Sequence, residues 1–139
     1  MSKIIIITNM EQKYINLKLG QVDSKLDNKV SLELELLNDT ESWSKSWEEK
    51  LLQADFALVS WMGTGLCCPF LKQGSKFMQK HSVKHYFKIM DAGDDLLEKG
   101  ISNIEKKTLL NYLTYKNKKN YSNLWRWLAS TFAKNSCSY

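Results

Sequence analysis

Arginine is almost missing from this 139-residue chain: of its 20 basic residues, only Arg126 is an arginine. Arginine is the side chain of bidentate phosphate and base-edge recognition. A net charge of +5 carried by lysine therefore reads as a solvated face, and nucleic acid is a disfavoured partner. The charge is uneven. Residues 1–71 hold seven lysines against ten acids, a balance of −3, and residues 72–139 hold thirteen bases against five acids, a balance of +8. A polyanion-binding module built on the lysine-rich half is the alternative, and its affinity would fall steeply with salt.

Cysteine is scarce as well. Cys67, Cys68 and Cys137 are an odd number, and the adjacent pair lacks the C-x-x-C spacing of zinc and thioredoxin-like sites, so reduced thiols acting as small apolar side chains are expected. The chain has two histidines, His81 and His85; they straddle a predicted helix-to-strand junction with no ligand beside them, so no metal site is read there. Proline occurs once, at Pro69, and there is no Pro-rich linker, repeat or low-complexity tract. No apolar run approaches the roughly 20 residues that cross a bilayer, and Met1-Ser2-Lys3 before Ile4 to Ile7 is too short for a secretory signal. A single cytoplasmic domain over residues 1–139, with no membrane partner, is the expectation.

What the chain does have is hydrophobic patterning, at 43% apolar residues. Ile4 to Thr8 is a run of β-branched residues suited to a buried parallel strand. Glu11 to Leu26 is read as a helix interrupted by Gly20. Val30 to Leu36 alternates strictly, which predicts a strand with one wet face at a sheet edge. Asn38-Asp39-Thr40 is a turn and cap cluster, and a helix over Glu41 to Gln53 follows. Ala54 to Met62 is a second buried strand, ending at Gly63-Thr64-Gly65. Pro69 to His81 is a helix weakened by Gly74, and Lys84 to Met90 a third buried strand. A short helix through Leu96 and Leu97 stops at Gly100. Ser102 with Glu105 is a capping box that opens a helix to about Tyr115, with Ile104, Leu109, Tyr112 and Leu113 inward. Lys116 to Lys119 is a basic hinge. The last helix, Asn120 to Lys134, turns Tyr121, Leu124, Leu128 and Phe132 inward and makes a C-terminal helical pair at about 102–134.

Strands alternating with helices predict an α/β fold: a small doubly wound, mainly parallel four-stranded sheet of order 2-1-3-4, flavodoxin- or Rossmann-like. Ligands in such folds meet the carboxyl ends of the strands. The candidate ligand-binding residues are accordingly Asn9, Trp61, Gly63, Thr64, Gly65, Asp91 and Asp94, with Trp61 able to stack on a flat ring. A nucleotide-binding flavodoxin-like domain is a rival, but Thr8-Asn9-Met10-Glu11 has no glycine and carries an acid. The third glycine of G-x-G-x-x-G is replaced by Cys68, so Gly63-Thr64-Gly65 reads as a tight strand-to-helix turn. Thr8-Asn9 lacks the acidic pair of a receiver domain, and the aspartates at 91, 94 and 95 read as helix caps. No catalytic set emerges from the order of residues.

Three segments resemble the N-terminal region of the large, tetrapyrrole-binding subunit of cobaltochelatase and magnesium chelatase. The first is Ala54-Asp55-Phe56-Ala57-Leu58-Val59 with Met62-Gly63-Thr64-Gly65, similar to that family's "A-D-hydrophobic strand, then glycine". The second is the strand running into Asp91-Ala92-Gly93-Asp94. The third is Tyr112-Leu113-Thr114-Tyr115 with Asn120 to Ala129, similar to "Y-L-x-Y-G-G-x-x-N-x-x-N-L-x-x-F-L-A", although Lys116-Asn117 stands where the family has two glycines. The resemblance spans roughly residues 50–130. It implies a non-catalytic fragment or stand-alone relative of that subunit, scaffolding or binding a tetrapyrrole in cobalamin-type biosynthesis. The parent complex would use ATP and magnesium, with cobalt or magnesium as substrate ion. The implied partners are the remainder of the large subunit and the two motor subunits. No cofactor, metal ligand or catalytic residue is carried onto this chain. Asn120 and Asn123 are expected to tie the last helix to the preceding loop by side-chain-to-backbone bonds.

Overall fold

In the computed structural model, residues 2–24, 30–63, 68–90, 98–114 and 118–133 are described. They form β1 (Ser2–Thr8), α1 (Glu11–Ser24), β2 (Val30–Leu36), α2 (Lys45–Leu52), β3 (Phe56–Met62), α3 (Pro69–Lys80), β4 (His85–Met90), β5 (Glu98–Lys99), α4 (Asn103–Thr114) and α5 (Lys118–Phe132). The sheet order is β2-β1-β3-β4-β5. The first four strands are parallel and take the 2-1-3-4 order read from the sequence. The fifth is an addition: Glu98 and Lys99 pair antiparallel with Tyr86 and His85. Two residues cannot display a period of two, so this strand left no pattern to read.

The isoleucine run explains why both sheet faces are covered. Ile4 and Ile6 pack with Leu17 of α1, Leu109 and Leu113 of α4, and Tyr121, Leu124, Trp125 and Leu128 of α5. Ile5 and Ile7 face the opposite way, against Trp47 and Leu51 of α2 and Phe70, Leu71 and Met78 of α3. Strand pleating alone assigns successive residues to the two layers. β2 lies at the sheet edge, as its alternation predicts, and Lys3 and Lys50 meet its outward Glu33 and Glu35 in ion pairs.

α1 and α5 make the closest helix contact. Gly20 is not a flaw in α1 but its packing surface: a Cβ there would lie 2.8 Å from the main chain of Tyr121 and Ser122. The Trp125 indole N–H donates to the Leu17 carbonyl (3.0 Å). Arg126 closes the end of α1, which has no basic residue in its last turn, by donating to the carbonyls of Ser24 (3.0 Å) and Asp23 (3.1 Å). The single arginine thus serves as a helix cap delivered from another helix.

α2 begins at Lys45 rather than Glu41, because residues 41–44 run beneath α3: the Glu41 carbonyl accepts from Phe70 N–H (2.9 Å), and the Trp43 ring fills the space left by Gly74. Ile104 is 80% exposed. The buried face of α4 is set by Leu109 and Leu113, and five helical residues before Leu109 rotate Ile104 about 140° away from it. The capping box is as read, with Ser102 N–H donating to Glu105 Oε1 (2.8 Å) and Glu105 N–H to Ser102 Oγ (3.1 Å). Asn120 makes a side-chain-to-backbone bond, but to the Tyr112 carbonyl inside α4 rather than to the preceding loop, and Asn123 Oδ1 accepts from Arg126. Leu96, Leu97, Cys67 and Cys137 lie outside the described residues.

Gly20→Ala tests the helix contact. Helix propensity favours alanine by about 1 kcal/mol, and overpacking a closed contact costs about 1–3 kcal/mol. The neighbouring atoms are largely main chain and cannot swing aside, so a lowered Tm is expected; a raised Tm would show the interface to be loose.

Candidate functional site

The order β2-β1-β3 reverses direction at β1, so the carboxyl ends of β1 and β3 mark the switch point where α/β sheets open a crevice. α1 covers one face and α2 and α3 the other. The ladder between the two strands ends at the pair Thr8 and Ser60. Beyond it the Asn9 side chain takes over. Met62 N–H donates to Asn9 Oδ1 (2.9 Å), and Asn9 Nδ2 donates to the Met62 carbonyl (2.8 Å) and to Asp39 Oδ1 (2.6 Å). The amide orientation is unambiguous, since a carbonyl and a carboxylate can only accept. One side chain thus supplies the donor and acceptor that a further strand residue would have offered Met62.

The loop after β2 is drawn to the same point. Leu37 N–H donates to the Thr8 carbonyl (2.9 Å), and Asn38 Oδ1 accepts from Thr40 N–H (2.9 Å) and Oγ1 (2.8 Å), an Asx turn that presents Asp39 to Asn9. Asn9, Glu11, Leu36, Leu37, Asn38 and Asp39 line an open groove of about 410 Å³.

Beneath the rim, Lys13 is 8% exposed, and its ammonium donates to Ser60 Oγ (2.9 Å). Lys88, half-buried, is the register partner of Ser60 and projects from the same sheet face. Thr8 is fully buried and accepts from Met10 N–H (3.1 Å) at the start of α1. The rim thus has an outer groove with two carboxylates and an inner layer with two lysines and two hydroxyls.

The predicted ligand residues separate into three groups. Asn9 is at the rim, with both of its amide hydrogens engaged inside the protein. Trp61 is only 1% exposed and belongs to the core between the sheet, α2 and α3, so its ring faces are taken by protein atoms. Gly63 sits at the end of β3 with φ +114°, a left-handed value that makes glycine the fitting residue for the turn. Thr64, Gly65, Asp91 and Asp94 lie outside the described residues. Among the described residues no group of three or more His, Cys, Asp or Glu is placed to hold a metal ion. His81 packs at a tilt against the Phe77 ring, and His85 bonds to the Val83 carbonyl.

Lys13, Ser60 and Asp39 were missed as site residues. Lys13 had a readable signal. It shares a helix face with Leu17, Gly20 and Ser24, all buried, at i+4, i+7 and i+11. Asp39 had none, because its role depends on meeting a residue 30 positions away.

No family model matches the chain, and neither a curated protein nor a solved structure does. No helix among the described residues is long and apolar enough to cross a membrane.

Asn9→Asp isolates the rim contact with little change of shape. An acceptor-only carboxylate would face the Met62 carbonyl and the Asp39 carboxylate, losing both donated bonds. At pH 7 a destabilisation of about 1–3 kcal/mol is expected in urea unfolding, partly relieved in acid as protonation restores a donor. A variant as stable as the parent at pH 7 would remove Asn9 from the rim's support.

Proposed function

We propose that this chain is a non-catalytic scaffold domain related to the N-terminal region of the chelatase large subunit, acting alongside the remainder of that subunit and its motor partners. The observation that supports a scaffold over a capture site is the Asn9 amide: the crevice at the switch point is bridged by the protein's own side chain. The stacking candidate Trp61 is core, which points the same way. A scaffold also needs a face to offer. α1 turns Ile15, Leu19 and Val22 outward at i, i+4 and i+7, with Val22 71% exposed.

A second reading, tetrapyrrole capture, is favoured by one specific feature. Corrins and porphyrins of biosynthesis carry carboxylate side chains. Lys13 with Ser60 and Lys88 forms a cationic layer under the rim that suits a carboxylate. In this reading the ring lies over the rim and a carboxylate reaches down to Lys13.

Titration with metal-free corrins and porphyrins, followed by tryptophan emission, separates the two. The scaffold reading predicts no saturable quenching in the micromolar range. Micromolar quenching abolished by Lys13→Met would establish capture at the inner layer. Quenching untouched by that change would overturn both readings of the rim.

A further inference from the structure

The amino end of β4 holds a second polar cluster, remote from the rim. His85 is fully buried on β4. Its Nδ1 lies 2.6 Å from the Val83 carbonyl oxygen, which can only accept, so Nδ1 carries the proton. Nε2 is therefore a bare acceptor, and the atom facing it, at 3.4 Å, is Gln79 Nε2 of α3. The Gln79 amide is fixed by its other contact: Nε2 donates to the main-chain carbonyl of Glu98 in β5 (3.1 Å). Lys99 returns the connection by donating to the Gln79 main-chain carbonyl (3.2 Å). β5 is two residues long, so these tethers are a large share of what holds it.

This network is self-consistent only with neutral His85. A proton on Nε2 would set a ring N–H against the Gln79 amide hydrogens. Turning the amide over would meet that N–H with Oε1 but set the same oxygen against the Glu98 carbonyl. The first clash is relieved when the amide swings away from the ring and so from Glu98, and the second loses the bond to β5 outright.

The surroundings hold His85 neutral in the fold. Burial dominates and lowers its affinity for a proton; the Val83 carbonyl opposes this, nearby Lys99 adds to it, and Glu98 opposes it. Phe87 presents a ring edge at 5.6 Å, and Glu98 is itself paired with Lys106 of α4 (2.8 Å). From α3 the uncharged Gln79 amide faces the ring. The folded value lies below the ordinary 6.5, so the contribution of neutral His85 is complete above pH 6.5 and is lost as pH falls below it through the folded value.

We propose that His85 and Gln79 form an acid-released latch on β5: protonating His85 breaks Gln79's hold on the Glu98 main chain and frees β5 from the edge of β4. Freed, β5 leaves the unpaired edge of β4 exposed, the kind of surface that pairs with a strand of another chain. This inference is independent of the rim and of the function proposed above.

The test is amide hydrogen exchange across a pH series on the whole chain, expressed as protection factors, with the His85 ring followed by NMR. The expected result is a fall in protection of residues 98–100 by about fivefold to tenfold, the weight of one hydrogen bond. Its midpoint should coincide with the His85 titration, while β1 and β3 stay protected. Gln79→Met removes the relay without touching the ring: β5 should be loose at every pH, with no step, although His85 still titrates. No step in the parent chain, simultaneous loss in β1 and β3, or a step that survives in Gln79→Met would each overturn the latch.

Discussion

The side-chain amide of Asn9 joins the two central strands just where their chains must part. After Thr8 the backbone turns into α1 over one sheet face. β3 continues to Met62 and Gly63 before leading toward α3 on the other face. Divergence of this kind leaves a gap in the ladder, and in many doubly wound folds the gap receives a ligand. Here an amide from the protein fills it, matching both main-chain groups of Met62. Asp39 fixes the amide from the other side, so the loop after β2 is drawn into the same junction. With the strand ends so joined, the first turn of α1 lies over Ser60, and Lys13 can reach its hydroxyl.

Below that junction the apolar cores on the two sheet faces are accompanied by a few buried and partly buried polar contacts, Trp125 and Arg126 to the carbonyls of α1 among them. The four consecutive isoleucines of β1 serve two cores at once, which requires helices on both faces. On one face α4 and α5 supply most of the buried side chains, and α1 supplies few. α1 contributes a single buried aliphatic residue, Leu17, and otherwise offers Gly20 and its own carbonyls to Tyr121, Trp125 and Arg126 of α5. Close approach of two backbones substitutes for interdigitated side chains. That leaves Ile15, Leu19 and Val22 to solvent.

The legible features in the sequence were those with a local period or a local cap. The β-branched run of β1, the alternation of β2, the buried runs of β3 and β4 and the Ser102–Glu105 box all carry their structure within a few residues, and their order fixed the strand order. Features that depend on distant partners were not legible. Asn9 meets Met62 across 53 positions, and Trp125 meets Leu17 across 108. Trp61 illustrates a subtler failure. A strand buried on both faces shows no polar alternation, so nothing local separates a core indole from one facing a cleft. The inward placement of Lys13 could have been computed from helical spacing, but a charged residue is seldom expected inside.

A rim bridged internally suits a domain that positions other parts of an assembly, whereas a rim with an open crevice would suit one that holds a small molecule. The most direct measurement is the exchange rate of the Met62 main-chain amide. Met62 is a partly exposed residue beyond the end of the β1–β3 ladder, and Asn9 Oδ1 is the acceptor of its N–H. With the junction bridged by Asn9, slow exchange is expected, comparable to interior β3 residues such as Val59. Exchange at the rate of an unstructured loop would mean that the junction stands open and that the rim is available to a ligand after all.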